Sequence, residues 1–301
     1  MSEESDKRLF CFGFGYTAEN LAEALMQRGD WQIAGTTRDK DKKQELSARG
    51  IEAYLFDRDF PLGDPLYILN NTTHLLLSVP PDNEGDPVYR MHANDIAKID
   101  TLQWVGYLSA TSVYGDRNGG WVNETSEARP SSIRGSRRAK AESQWQDLQA
   151  RTGIPLHIFR VAGIYGPGRS ALDSVRGGIA RRIDKPGQAF SRAHIADIVQ
   201  VLMASMARPD PGNIYNVCDD TPTPSHEVIA AACDLLDVEP PPLIPFEDAN
   251  LPPMARSFYR DNKRVRNDKI KEELGVALHY PDYKSGLIGC LEAEKTMTQN
   301  V

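Results

Sequence analysis

Residues 9–22, Leu-Phe-Cys-Phe-Gly-Phe-Gly-Tyr-Thr-Ala-Glu-Asn-Leu-Ala, constrain the fold of this chain more than any other stretch. An apolar run of strand type stops at Gly13, and a helical pattern of Ala18, Leu21, Ala22 and Leu25 begins within a few residues and closes at Gly29. Such a strand, glycine turn and helix start aim unpaired N–H groups and the positive end of the helix dipole outward, so a phosphate settles there. Gly13 allows the tight turn, and Gly15 lets a diphosphate approach the backbone. Ala18 is small enough for the helix to pack close to the strand, which completes the fingerprint G-x-G-x-x-G in its alanine form. With Tyr16 and Thr17 between them, these residues are the expected diphosphate cradle.

The alternation continues downstream. Residues 31–37 read as a second strand, 39–50 as a polar helix ending in glycine, and 51–56 as a third strand. The fourth, 74–79, is nearly all apolar, as in a strand covered on both faces, and Pro80-Pro81 ends it. A helical stretch over 88–99 leads to a fifth strand at 104–109. A turn-rich loop over 115–132, a long helix over 133–151 and a sixth strand at 155–160 follow. Strands separated by helices need right-handed crossovers, so the expected fold class is α/β, a Rossmann-type doubly wound parallel sheet. Beyond Gly163 the pattern breaks up into a loop at 164–169, helices over 172–183 and 195–207, a short strand at 213–217, and a helix flanked by proline clusters between 221 and 253. The expected organisation is a dinucleotide-binding Rossmann domain over 1–165, with 190–220 packing back onto it, and a smaller loop-rich C-terminal substrate domain over 166–301.

A formal net charge of -7 over 301 residues argues against a nucleic-acid groove or an anionic membrane surface as the main partner. Cys11, Cys218, Cys233 and Cys290 lie far apart with no C-x-x-C and no metal-type spacing, which reads as buried free thiols in a reducing compartment. The amino end is polar and acidic, and no apolar run approaches the length of a bilayer span; the expectation is a soluble, cytoplasmic chain with no metal.

Five motifs in order carry a family likeness: Gly13-x-Gly15-x-x-Ala18, the run 108–116 (Leu-Ser-Ala-Thr-Ser-Val-Tyr-Gly-Asp), Pro130 with the helix to Glu142, the run 160–169 (Arg-Val-Ala-Gly-Ile-Tyr-Gly-Pro-Gly-Arg), and the run 194–198 (His-Ile-Ala-Asp-Ile). Over nearly the whole chain this resembles the short-chain dehydrogenase/reductase superfamily in its extended, epimerase/dehydratase-like form. The resemblance implies a nicotinamide dinucleotide, sugar-like or small carbonyl substrates, and a homodimer formed through a helix pair. It also implies three groups near the nicotinamide: a Ser or Thr hydroxyl, a Tyr acid/base, and a Lys four positions later on the same helix face, where its ammonium lowers the phenol pKa and holds the ribose.

Here the face departs from that pattern, since counting from Pro130 and from Glu142 puts Arg134 at the Tyr position and Arg138 at the Lys position. A guanidinium stays protonated far above neutral pH, so it orients or neutralises an anion but does not cycle a proton. The hydroxyl position aligns with Ala110, and a strand bulge would present Thr111 instead. Three readings stand: Arg134, Arg137 and Arg138 are a solvated helix face; Arg138 inherits cofactor binding while Arg134 faces a substrate anion; or proton transfer has moved to Tyr114, Tyr165 or His194. Thr111, Arg134 and Arg138 are therefore the candidate catalytic residues.

The second strand ends Thr37-Arg38 with no acid to accept the ribose 2′-OH, and Arg38 with Lys40 is placed to clamp a 2′-phosphate, so the cofactor expected is NADP, with NAD as the alternative. The plain alternative for Arg38 is the start of a solvated helix capped by Asp39. By resemblance, Asp57 contacts the adenine, and Val79 and Pro80 line the middle of the cofactor. Arg169 and Arg256 are candidates for facing an anionic or nucleotide-sugar-like substrate. The functions in competition are an atypical oxidoreductase or epimerase, a non-catalytic NADP(H)-sensing module, and a vestigial loop that binds nothing.

Overall fold

A computed structural model describes residues 7–299; residues 1–6, with the polar amino end, and 300–301 lie outside it. From the amino end the elements run β1 (Lys7–Phe12), α1 (Tyr16–Met26), β2 (Trp31–Thr37), α2 (Lys40–Ala48), β3 (Glu52–Leu55), α3 (Pro65–Ile68), β4 (His74–Leu77), α4 (Pro87–Ile96) and β5 (Trp104–Ala110). A 3-10 turn (Thr111–Tyr114) and β6 (Trp121–Val122) precede α5 (Ile133–Thr152) and β7 (Leu156–Val161). Next come β8 (Gly163–Tyr165), α6 (Ala171–Arg176), β9 (Arg182–Asp184), β10 (Arg192–His194), α7 (Ile195–Ala207) and β11 (Ile214–Val217). The remainder holds α8 (Ser225–Leu235), β12 (Leu243–Pro245), α9 (Pro253–Phe258), β13 (Arg264–Val265), α10 (Asp268–Glu272) and α11 (Tyr283–Gln299).

Seven strands form one sheet in the order β11-β7-β5-β4-β1-β2-β3. β1 pairs in parallel with β2 on one side and β4 on the other, and the winding reverses there. In sheets of this kind the point of reversal is where ligands bind, and here the Gly13–Gly15 loop leaves β1 at that point. The fold is the α/β, Rossmann-type doubly wound sheet that the strand and helix alternation implies. β4 is buried at every residue, and α1 buries Thr17, Ala18, Leu21, Ala22 and Leu25, the stripe of an amphipathic helix.

The chain forms two compact units that interleave along the sequence. One takes residues up to 110, 136–160 and 199–215; the other takes 111–135, 161–198 and 216 onward. In the first, Phe10, Phe12, Leu75, Leu77, Tyr107 and Trp145 belong to one core cluster. In the second, Tyr165, Leu172, Val228, Tyr283, Leu287 and Cys290 form another. All four cysteines are free and buried. No helix of the described residues is long and apolar enough to cross a membrane.

Three local expectations are corrected in the second unit. The helix expected over 172–183 stops at Arg176, because Gly177-Gly178 breaks it and Gly178 takes φ +66; Arg182–Asp184 then pairs with β12. The loop expected at 164–169 begins as β8, whose partner β10 lies far along the chain. Likewise the turn-rich stretch over 115–132 contains β6, which pairs with β13. Strands of two or three residues leave no periodicity to read.

Candidate active site

The first unit builds the cradle. Gly13 takes φ +88, a conformation L side chains rarely adopt, and an added Cβ would meet Ser78 Oγ at 2.9 Å and Val79 Cγ2 at 3.2 Å. Its N–H donates to Thr36 Oγ at 2.9 Å, and Ser78 Oγ donates to its carbonyl at 2.6 Å, so the turn is tied to both neighbouring strands. Gly15 is the N-cap of α1, with φ -101 and no side-chain hydrogen bond at the cap. A Cβ on Gly15 would meet nothing within 4 Å, so the space above the helix start is open. An open space over an uncapped helix N-terminus fits a diphosphate, which needs N–H donors and positive potential.

The other cofactor candidates stand at or just beyond the ends of β2, β3 and β4. Thr37 ends β2, and its Oγ accepts from the Asp39 N–H at 3.2 Å. Asp39 caps α2, accepting from Asp41 N at 2.7 Å and Lys42 N at 3.1 Å, and so is occupied by the helix. Arg38 is exposed and makes no ion pair among the described residues. Asp57, half-buried just past β3, holds a small turn in which its N–H and that of Phe60 each bond the other's carbonyl at 3.1 Å. Val79 and Pro80 follow β4, with Val79 against the loop glycine.

The arginine face of α5 divides. Arg138 donates to Leu108 O at 2.7 Å and to Tyr107 Oη at 3.2 Å, so its guanidinium holds the end of β5. Burial pushes the Tyr107 hydroxyl up, and the arginine only partly offsets it. Arg137 pairs with Asn83 Oδ1. Arg134 belongs to the second unit and is exposed, its guanidinium 3.4 Å from Met254 Sδ and 5.9 Å from the Phe258 ring centre. Thr111 opens the 3-10 turn directly after Ala110, half-buried, with a sharp turn where a bulge was expected. A Cβ on Gly135 would lie 2.5 Å from Ser112 O, so the first turn of α5 is seated on this 3-10 turn.

The alternative proton carriers are all buried. Tyr114 is buried and donates to Asn216 Oδ1 at 2.7 Å. The Tyr165 hydroxyl is buried against Gly286, and burial pushes its pKa far up. His194 Nδ1 accepts from Ala196 N at 3.2 Å, and burial pushes the ring down to about 4. Arg169 is exposed, and Arg256 lies 4.9 Å over the Phe246 ring and 3.9 Å from Glu247.

One network went unread in the sequence. Glu142 is 3% exposed and accepts from Ser109 Oγ at 2.5 Å, while Arg160 grips it with Nη2 at 2.7 Å and Nε at 3.1 Å. This clamp ties α5 to β5 and β7 one turn beyond Arg138. The available signal was the spacing, since Arg134, Arg138 and Glu142 recur every fourth residue on one helix face.

No protein-family model matches the chain, and no curated protein matches it. Among solved structures, a functionally unknown conserved protein from Silicibacter pomeroyi is 50% identical, with a TM-score of 0.88 over 95% of this chain and 99% of that one. UDP-glucuronic acid 4-epimerase from Bacillus cereus, in complex with UDP-glucuronic acid and NAD, superposes with a TM-score of 0.77 at 14% identity, covering 96% of this chain and 99% of its own. UDP-glucose 4-epimerase from Thermotoga maritima, with UDP-glucose, gives 0.78 at 15% identity, covering 97% and 99%. At those identities the two epimerases share the fold with this chain.

Proposed function

We propose that the chain belongs to the short-chain dehydrogenase/reductase superfamily in its extended, epimerase/dehydratase-like form, that it binds NADP(H) at the Gly13–Ala18 loop, and that it acts as an oxidoreductase or epimerase on a small anionic or nucleotide-sugar-like substrate. The observation that carries the proposal is the open, uncapped start of α1 above Gly15. Gly13 would shape the turn while Gly15, Tyr16 and Thr17 hold the diphosphate on backbone donors, Val79 and Pro80 would line the middle of the cofactor, and Asp57 would meet the adenine. Arg38 supports NADP over the NAD of the structural neighbours, being exposed, unpaired and without an acid beside it able to take the 2′-OH. When bound, the nicotinamide would supply hydride transfer.

What this chain's residues do differs from the family's usual division of work. Arg138 would position the end of β5, and through it Ala110 and Thr111, since its donors go to the strand. Thr111 is the hydroxyl nearest the family's position, and Arg134 would bind substrate charge. A second reading, a non-catalytic NADP(H)-sensing module, is favoured by Arg138 being spent on β5 while Ala110 brings no hydroxyl.

Calorimetric titration with NADPH and NADH, repeated on Arg38→Ala and Gly15→Asp, tests the cofactor assignment. We expect NADPH to bind more tightly, Arg38→Ala to weaken NADPH by about tenfold and leave NADH nearly unchanged, and Gly15→Asp to abolish both. Tighter NADH binding would overturn NADP, and no binding of either would overturn the whole reading. Following NADPH absorbance and product formation with UDP-glucose, UDP-glucuronic acid and small keto compounds separates enzyme from sensor: binding without turnover across the panel selects the sensor.

A further inference from the structure

We propose that the substrate is an anion built on a flat apolar ring, anchored by Arg134 and covered by Met254 and Phe258 of α9. This rests on the reading above that the family's Tyr position, here Arg134, faces substrate.

Arg134 differs from its neighbours on α5 in what its donors meet. Arg137 and Arg138 both reach oxygen acceptors, whereas the polar contact of Arg134 is a thioether, a weak acceptor. Its fork of N–H donors is left for an oxyanion, the ligand that planar geometry suits best. The base beneath it is firm, because Gly135 is seated on Ser112 O and its N–H donates to Ser132 Oγ at 3.1 Å. The ring and the sulfur beside the guanidinium orient it while leaving its donors open to a ligand.

The apolar part follows from α9. This helix has no buried residue, and it exposes Met254 by 59% and Phe258 by 56%; Ile133, beside Arg134, is exposed by 73%. Scattered apolar residues on a surface need no explanation, but two set against one guanidinium whose polar contact among the described residues is a thioether describe an amphiphilic ligand. Polar sugars alone would leave Met254 and Phe258 uncovered. α9 itself adds a second cation, Arg256, whose guanidinium lies 4.9 Å from the Phe246 ring centre and meets Glu247 only at 3.9 Å.

Fluorine NMR on the full-length protein with NADPH present tests this, using 4-fluorobenzoate, its neutral counterpart 4-fluorobenzamide, and the ring-free anion trifluoroacetate. We expect 4-fluorobenzoate to bind at least tenfold more tightly than either other probe, Arg134→Gln to lose that preference, and Phe258→Ala to weaken the benzoate several-fold. Both side chains are exposed, so the variants should keep the parent's Tm. NADPH affinity is read on the same samples by its fluorescence. If NADPH binds but the benzoate does not, or binds equally to Arg134→Gln, the inference is overturned and the cofactor reading stands. Loss of NADPH binding with Arg134-dependent benzoate binding overturns the cofactor reading instead.

Discussion

Gly13 and Gly15 sit two residues apart and do opposite things, which makes them the sharpest pair to substitute. Gly13→Ala puts a Cβ 2.9 Å from Ser78 Oγ in a backbone at φ +88, and we expect it to cost about 1–3 kcal/mol in a denaturant titration. Gly15→Ala meets nothing within 4 Å at φ -101, and should stay within about 0.5 kcal/mol of the parent while weakening dinucleotide binding. A Gly15→Ala protein that loses stability as Gly13→Ala does would remove the distinction between turn residue and ligand residue. Both glycines were legible in the sequence because they fall at the spacing of the G-x-G-x-x-A fingerprint, although only Gly13 meets a demand on φ. The partner of Arg138 was not, for Leu108 O is a backbone atom 30 residues away and nothing in a residue type announces a carbonyl.

α5 is the element on which the candidate site depends, and Glu142 fixes it. Both Glu142 and Arg160 are buried, 3% and 5% exposed, so removing one charge strands the other. Glu142→Gln is expected to cost about 3–5 kcal/mol, and Glu142→Leu with Arg160→Met should recover most of that loss. Thermal melts of the two variants and the parent check it, and a Glu142→Gln protein as stable as the parent would show that the clamp contributes orientation alone. The helix and the two strands it joins were readable from periodicity, because each is long enough to show one face. The clamp was not, since a charged residue on a helix face reads as solvated until the strand that covers it is known. The same reason explains the second unit, where β6, β8, β9, β10, β12 and β13 are two or three residues long and pair with distant segments. Their existence depends on tertiary pairing, and local sequence carries no record of it.

For the molecule as a whole, acid stability is decided by a contest between buried histidines and buried carboxylates, Asp219 foremost among the latter. His74, His157 and His194 are pushed by burial from 6.5 to about 4. Their folded pKa values lie below the unfolded ones, so the stability they contribute is complete above about 6.5 and lost as pH falls toward 4, roughly 3 kcal/mol each. Asp219 works the other way. It is 2% exposed, neither carboxylate oxygen has a well-formed hydrogen bond, and burial raises it from 3.8 to about 7 against the pull of the Arg192 guanidinium and the Arg192 and Thr221 N–H groups. Its raised folded pKa means that the charged form is disfavoured, so stability is lost as pH rises from about 4 to about 7, by roughly 4 kcal/mol. Burial raises Asp86 and Asp197 in the same sense as Asp219. The three histidine shifts together exceed that of Asp219, so Tm should fall as pH is lowered from 7 to 5. Asp219→Asn removes the opposing contribution: its Tm should exceed the parent's at pH 8, and its decline between pH 7 and pH 5 should be steeper. Melting curves of both proteins at pH 5, 6, 7 and 8 decide it. An Asp219→Asn protein that melts below the parent at pH 8 would mean that the carboxylate is held charged by Arg192, and the sign of its contribution would reverse.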